Sequence, residues 1–218
     1  MKVALVGGSG AVGAHLLREL ASRGHQVTAV VRRPDAIDRA AYTAVMQVPG
    51  DAYDRGSLEK AFAGADAVVS AFNPGWTEPG LYDKFLTGAR TIQWAARNAG
   101  VARLLVVGGA GSLLGEDGRQ IIESMNVPEP YAGGVRAARD YHAELLGEAD
   151  IDWVFLSPPL GYGPMGPTDR RGTYRTSGDT PVVDEHGHST ISGPDLALAL
   201  VDELEIPRHH KQRFTVGY

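Results

Sequence analysis

An apolar run that breaks into glycines and turns at once into an amphipathic helix leaves few folds open. Residues Lys2 to Gly13 have that form, reading K-V-A-L-V-G-G-S-G-A-V-G. Val3 to Val6 have the composition of a short buried strand. Val12, Leu16, Leu17 and Leu20 recur at helical spacing, and Gly24 stands where that helix would stop. Two glycine registers fit the turn between them. Gly8, Gly10 and Gly13 satisfy G-x-G-x-x-G, and Gly7, Gly10 and Gly13 satisfy G-x-x-G-x-x-G. Either describes a tight turn in which a missing Cβ lets a pyrophosphate reach the backbone. The helix start adds unpaired N–H groups for the anion. Gly7, Ser9, Gly10, Ala11, Val12 and Gly13 are the expected pyrophosphate-binding residues. Gln26 to Val31 reads as a second buried strand and completes a βαβ unit.

The residue class at the end of that second strand selects the nucleotide. A carboxylate there holds the ribose hydroxyls of NAD, whereas arginine accommodates a 2′-phosphate. This chain reads Val31-Arg32-Arg33-Pro34. Two guanidinium groups match a phosphate in charge and in forked hydrogen bonding. Arg32 and Arg33 therefore predict NADP as the preferred cofactor, with NAD as the alternative. A third strand is expected near Ala44 to Val48. Asp51, just beyond it, either reads an adenine amino group or closes an Asx turn.

Further strands are expected at Asp66 to Phe72, Arg103 to Val107, Trp153 to Leu156 and Arg213 to Tyr218. Helices are expected from Asp54 toward Gly64, from Leu81 to about Asn98, from about Val135 to Gly147, and from a Ser192 cap to before Pro207. Gly172 to Ser177 and Thr180 to Ser192 look like short strands around a turn at Asp184 to His188. The alternation predicts an α/β class: a Rossmann-type doubly wound parallel sheet with right-handed crossovers. Residues 1–218 form one NAD(P)-binding domain in this reading, with a small substrate-side lobe from about 160 to 192. Ligands on such sheets lie beyond the C-terminal strand ends. Ser70, Ala71, Phe72, Gly108, Gly109 and Pro158 are accordingly expected around the nicotinamide half.

With no Cys, disulfides, thiolate catalysis and cysteine-ligated metal are excluded. The net charge of −5 carries no long basic block, which argues against nucleic acid as a partner. No apolar run reaches membrane-span length. A cytoplasmic protein, monomeric or homodimeric, with a small-molecule partner and no membrane partner is expected. His186 and His188, with Asp184 and Glu185, lack a third ligand placed by the sequence, so no metal site is expected.

With these motifs in place, the chain resembles the atypical short-chain dehydrogenase/reductases. More narrowly it is similar to the bacterial NADH-flavin reductases, relatives of biliverdin reductase B. The resemblance rests on Val6 to Gly13, Asp66 to Phe72, Leu104 to Ser112, Asp152 to Pro158 and the closing Arg213-Phe214-Thr215-Val216-Gly217-Tyr218. It implies a seven-stranded parallel-type sheet and hydride transfer to a flavin or quinone-like acceptor, the flavin being a substrate rather than a tightly bound cofactor. It also places Ser112 near the nicotinamide or acceptor, as a hydrogen-bonding residue.

The acid of typical short-chain reductases is a Tyr followed four residues later by Lys. Tyr131 is followed by Val135, and Tyr141 by Leu145. Without a neighbouring cation, nothing lowers a Tyr pKa toward neutrality. Ketone–alcohol chemistry needs that donor; flavin reduction mainly needs two rings stacked and water excluded. Ser112 and Tyr131 are the candidate catalytic residues, Tyr131 as a pocket-lining group. Trp76 and Tyr162 can stack on an acceptor ring, and Arg170-Arg171 can meet a flavin phosphate. Two other readings remain: a non-catalytic NADP(H) sensor, and, third, a sugar-nucleotide epimerase or ketone reductase.

Overall fold

Buried apolar strands alternating with one-sided helices build a single mixed sheet. The computed structural model describes residues 1–33, 36–37, 42, 45–129 and 131–218; Pro34, Ala44 and Pro130 lie outside the described residues. Eight strands occur among the described residues: β1 (Lys2–Val6), β2 (Gln26–Val31), β3 (Val45–Pro49), β4 (Ala67–Ser70), β5 (Arg103–Val107), β6 (Asp152–Ser157), β7 (Arg175–Ser177) and β8 (Gln212–Gly217). Their spatial order is β3-β2-β1-β4-β5-β6-β8-β7. All neighbours are parallel except β7, which runs antiparallel to β8. This is the Rossmann-like α/β fold. The sheet has one strand more than the seven implied by resemblance, because Arg175–Ser177 extends its edge.

The helices are α1 (Ala11–Ser22), α2 (Arg55–Phe62), α3 (Leu81–Asn98), α4 (Ile121–Ser124), α5 (Ala132–Leu145) and α6 (Gly193–Glu205). Alternation along each strand sorts the core into two layers. Ala4, Val68, Leu104, Trp153 and Phe155 pack against α2, α3 and α5. Val3, Leu5, Val69, Leu105, Val154 and Phe214 pack against α1 and α6. Leu16, Leu17 and Leu20 of α1 are at most 1% exposed, and burying each contributes on the order of 2 kcal/mol. After Ser22 the chain ends α1 with a His25 N–H bond to Leu20 O (3.1 Å) across Gly24, the stop expected from the glycine.

Thr180 to Ser192 forms no strand. Both ladder sides of β8 are already taken, by β6 and β7. Asp184 instead closes a local turn, its carboxylate accepting from the His186 and His188 amides at 2.8 Å each. Among the described residues no helix is long and apolar enough to cross a membrane. Strand order reverses at β1, which pairs with β2 on one side and β4 on the other. The crevice beyond that switch point is where such sheets take ligands.

Candidate dinucleotide and acceptor site

The turn from β1 into α1 is shaped by Gly7, Gly10 and Gly13. Gly7 has φ +83°, and a Cβ there would lie 2.5 Å from Ala71 O. A Cβ on Gly13 would lie 1.9 Å from Gly7 O. Gly10 donates to Gly7 O at 2.9 Å, and Ala14 donates to Gly10 O at 2.8 Å. By contrast, a Cβ on Gly8 would meet only the Leu5 and Ile37 side-chain ends, at 3.1 and 3.5 Å. Of the two registers, G-x-x-G-x-x-G is therefore the one that the turn's close contacts require.

Gly10 caps α1 with no side-chain bond, and no acid stands in the first turn. The Ala11, Val12 and Gly13 amides thus start the helix without an intrahelical partner. Two other helices behave differently: Asp54 accepts from Gly56 N at the start of α2, and Ser192 from Asp195 N at the start of α6. An uncapped, acid-free helix start behind a turn with no room for Cβ atoms fits a pyrophosphate. Ser9 and Ala11 are exposed on it, and Val12 is half-buried.

A pocket of about 240 Å³ opens at the ends of β2 and β3, lined by Arg32, Pro49, Gly50, Asp51, Asp54 and Ser57. Arg32 and Asp51 thus meet, although they are distant in sequence. Arg33 is exposed and does not line the pocket. Asp51 also makes the Asx turn, accepting from Tyr53 N at 3.0 Å, while its own amide donates to Ser57 Oγ at 3.2 Å. In the sequence Asp54 to Ser57 reads as the start of a helix, and neither Asp54 nor Ser57 was expected as a lining residue.

On the other side of the switch point, Ser70 is buried, and its Oγ lies 3.5 Å from the Phe72 amide. Ala71 and Phe72 are half-buried. The Phe72 ring packs edge-on to Tyr53 at 6.0 Å and beside Phe85 at 6.2 Å. Gly108 donates to Leu156 O at 2.9 Å. A Cβ on Gly109 would lie 3.1 Å from Ala138 Cβ of α5. Pro158 is buried at the exit of β6.

Ser112 ends a 3-10 turn (Ala110–Ser112) and is 3% exposed. Arg213 Nη1 donates to its Oγ at 2.8 Å and to its carbonyl at 2.7 Å. Arg213 also binds Asp179, through Nε at 3.0 Å and through Nη2. The Ser112 hydroxyl therefore accepts from Arg213 and keeps one O–H to donate. Arg213 itself was missed; an Arg inside a closing apolar strand needs buried acceptors, and that was the available signal.

Tyr131 stands at the start of α5, half-exposed, with its ring 5.5 Å from that of Trp76 at 62°. Tyr141 is 1% exposed in the core, where burial raises its phenol pKa. Tyr162 packs against the α1 and α6 layer. Arg170 is not free to meet a phosphate: it pairs with Glu19. Arg171 lies over the Tyr218 ring at 3.7 Å. His186 and His188 are exposed on their turn. Among the described residues no group of three His, Cys, Asp or Glu is placed to hold a metal ion.

Residues 7–207 match the family model described as NAD(P)H-binding. The chain belongs to the NAD(P)H-binding family. Several known proteins are similar to it across the whole length. An uncharacterized Bacillus subtilis protein, YwnB, is 34% identical over 99% of this chain and 98% of its own. A Bacteroides thetaiotaomicron structure named for epimerase activity has a TM-score of 0.90 at 42% identity, covering 100% of this chain and 96% of that one. A Streptococcus pneumoniae structure named for NADH-flavin reductase activity has a TM-score of 0.85 at 30% identity, covering 100% and 99%. The glycine turn, the uncapped start of α1 and the pocket at Arg32 all lie at the C-terminal ends of β1, β2 and β3.

Proposed function

We propose that this protein is an NADPH-preferring reductase that passes hydride to a flavin or quinone-like acceptor. The observation that carries the nucleotide preference is Arg32, which lines the pocket at the end of β2 where that strand runs into arginines and not into a ribose-binding acid. Gly7, Ser9, Gly10, Ala11, Val12 and Gly13 would hold the pyrophosphate, and Arg32, with Arg33 beside it, the 2′-phosphate. Asp51 would face the adenine. Ser70, Ala71, Phe72, Gly108, Gly109 and Pro158 would surround the nicotinamide half. Bound there, the cofactor supplies the hydride.

The chain's own residues then orient and shield. Ser112 has one O–H to donate toward an acceptor oxygen or nitrogen. Neither candidate Tyr has a Lys four residues on, so the site is built for an acceptor that needs positioning more than a strong acid. Sensing of NADP(H) without turnover is the alternative that this same missing Lys supports.

The test is NADPH and NADH oxidation by purified protein with FMN, riboflavin or menadione. Oxidation faster with NADPH than with NADH, and dependent on acceptor, is expected. Tight NADPH binding with no acceptor-dependent oxidation would overturn the proposal in favour of sensing.

A further inference from the structure

Trp76 and Tyr131 come from separate loops, after β4 and after β5, yet their rings meet at 5.5 Å. Both stay about half-exposed, at 46% and 47%. An unneeded aromatic pair would gain by burying more of its surface. The chain instead makes room for it in a particular way. A Cβ on Gly134 would lie 2.8 Å from Trp76 Cζ3 and 3.1 Å from Leu81 Cδ2. A glycine in the first turn of α5 is unfavourable to the helix by about 1 kcal/mol relative to Ala. It is accommodated because the Trp76 indole lies flush on the helix backbone there.

The next residue, Val135, closes on the glycine loop: a Cβ on Gly111 would lie 2.7 Å from Val135 Cγ1. The first turn of α5, on which the aromatic pair is seated, therefore packs against the loop Gly108 to Ser112, at the edge where the nicotinamide half is assigned. The loop carrying Trp76 is braced from within. Asn73 Oδ1 accepts from Gly75 N at 2.8 Å, Glu78 donates to Gly75 O at 3.1 Å, and Lys84 pairs with Glu78.

We infer that Trp76 and Tyr131 are the acceptor-positioning wall, seated on Gly134, and that they hold the planar ring of the acceptor. The inference rests on the reductase reading above. Tyr131 acts through its ring and not as a proton donor, in keeping with Val135 standing where a Lys would be. With the rings at 62° to one another, one can lie face-on to a planar acceptor while the other meets it edge-on, and an aromatic contact of either kind is worth up to about tenfold in affinity.

The experiment titrates NADP⁺-saturated protein with riboflavin and with menadione, reading tryptophan emission and the dissociation constant, in wild type, W76L, Y131L and Y131F. NADPH affinity of each variant serves as the folding control. Quenching of wild-type emission is expected on riboflavin binding. W76L and Y131L should each weaken riboflavin binding by roughly tenfold, and Y131F far less than Y131L. Riboflavin affinity at the wild-type value in both W76L and Y131L overturns the wall while leaving the reductase reading in place. Wild type that binds NADPH but neither riboflavin nor menadione overturns both.

Discussion

Replacing Gly13, which both glycine registers share, and Gly8, which only one of them needs, tests by experiment where the turn is constrained. The added Cβ would lie 1.9 Å from Gly7 O, 2.6 Å from Gly7 C and 2.8 Å from Gly8 Cα. All three are backbone atoms of the turn, so no side chain can rotate away. Relaxing 1.9 Å to an ordinary contact at 3.4 Å needs α1 and the turn to part by about 1.5 Å. That motion would pull Leu16, Leu17 and Leu20 from their layer. Ala returns about 1 kcal/mol of helix propensity, against an overpacking cost at the upper end of 1–3 kcal/mol or beyond. A net loss of about 2–3 kcal/mol is expected, which for a domain of this size lowers Tm by roughly 4–12 °C. Gly8→Ala provides the comparison, since its Cβ meets only the flexible ends of Leu5 and Ile37; a loss within about 1 kcal/mol is expected. Urea unfolding of both variants without nucleotide reads stability, and NADPH titration reads the cradle. Equal stability of G13A and G8A would refute the assignment of the constraint to Gly7, Gly10 and Gly13.

Two further outcomes follow from the same geometry. R32A should weaken NADPH binding by about ten- to a hundredfold, the loss of charge-assisted bonds to a phosphate, while NADH affinity changes little; R33A should cost less, because Arg33 does not line the pocket. Equal effects on NADPH and NADH would refute a 2′-phosphate role. His142 is packed at 4.9 Å from Phe155 with its Nε2 unpartnered, and burial, aided by Arg213, holds its imidazole down at about 4. The folded form stays neutral below pH 6.5 while the unfolded chain takes up a proton, so stability should fall as pH drops from 6.5 toward 4. H142F should flatten that slope in urea titrations across the window; parallel profiles would refute the cause.

Much of the fold was legible because its signals are local. Gln26–Val31, Leu81–Asn98 and Arg103–Val107 fall at the expected bounds, since a run of apolar β-branched residues or a helical stripe closed by glycine needs little tertiary context. β7 and the segment after it were harder to read. Whether Arg175–Ser177 or Thr180–Ser192 pairs is decided by which edge of β8 is free, and an edge is a property of the assembled sheet. The site divides the same way. Gly7, Gly10 and Gly13 were visible as a motif, but only the contacts of absent Cβ atoms separate them from Gly8. The partners Trp76 and Tyr131, 55 residues apart by number, and the seat at Gly134 arise from packing of two loops, and no spacing rule brings them together.

Arg213 gives Ser112 a double identity that one substitution can resolve. Arg213 is 8% exposed and opposite Phe155 in the sheet, so the charge of its guanidinium must be met by buried acceptors. Ser112 provides two of them, the carbonyl and Oγ, and Asp179 provides the carboxylate. Asp179 is tied in again by its own carbonyl, which accepts from Leu114 N at 2.8 Å. The turn after β5 and the segment after β7 are thereby locked together through β8. S112A removes the hydroxyl but leaves the carbonyl and Asp179 to Arg213. Its stability cost should stay near about 1 kcal/mol, the net value of one hydrogen bond. If the remaining O–H also steadies an acceptor, S112A should lower kcat by about tenfold at unchanged NADPH affinity. Wild-type kcat in S112A, with the small stability loss present, would assign Ser112 to the Arg213 lock alone and leave the wall of Trp76 and Tyr131 as the site's main hold on its acceptor.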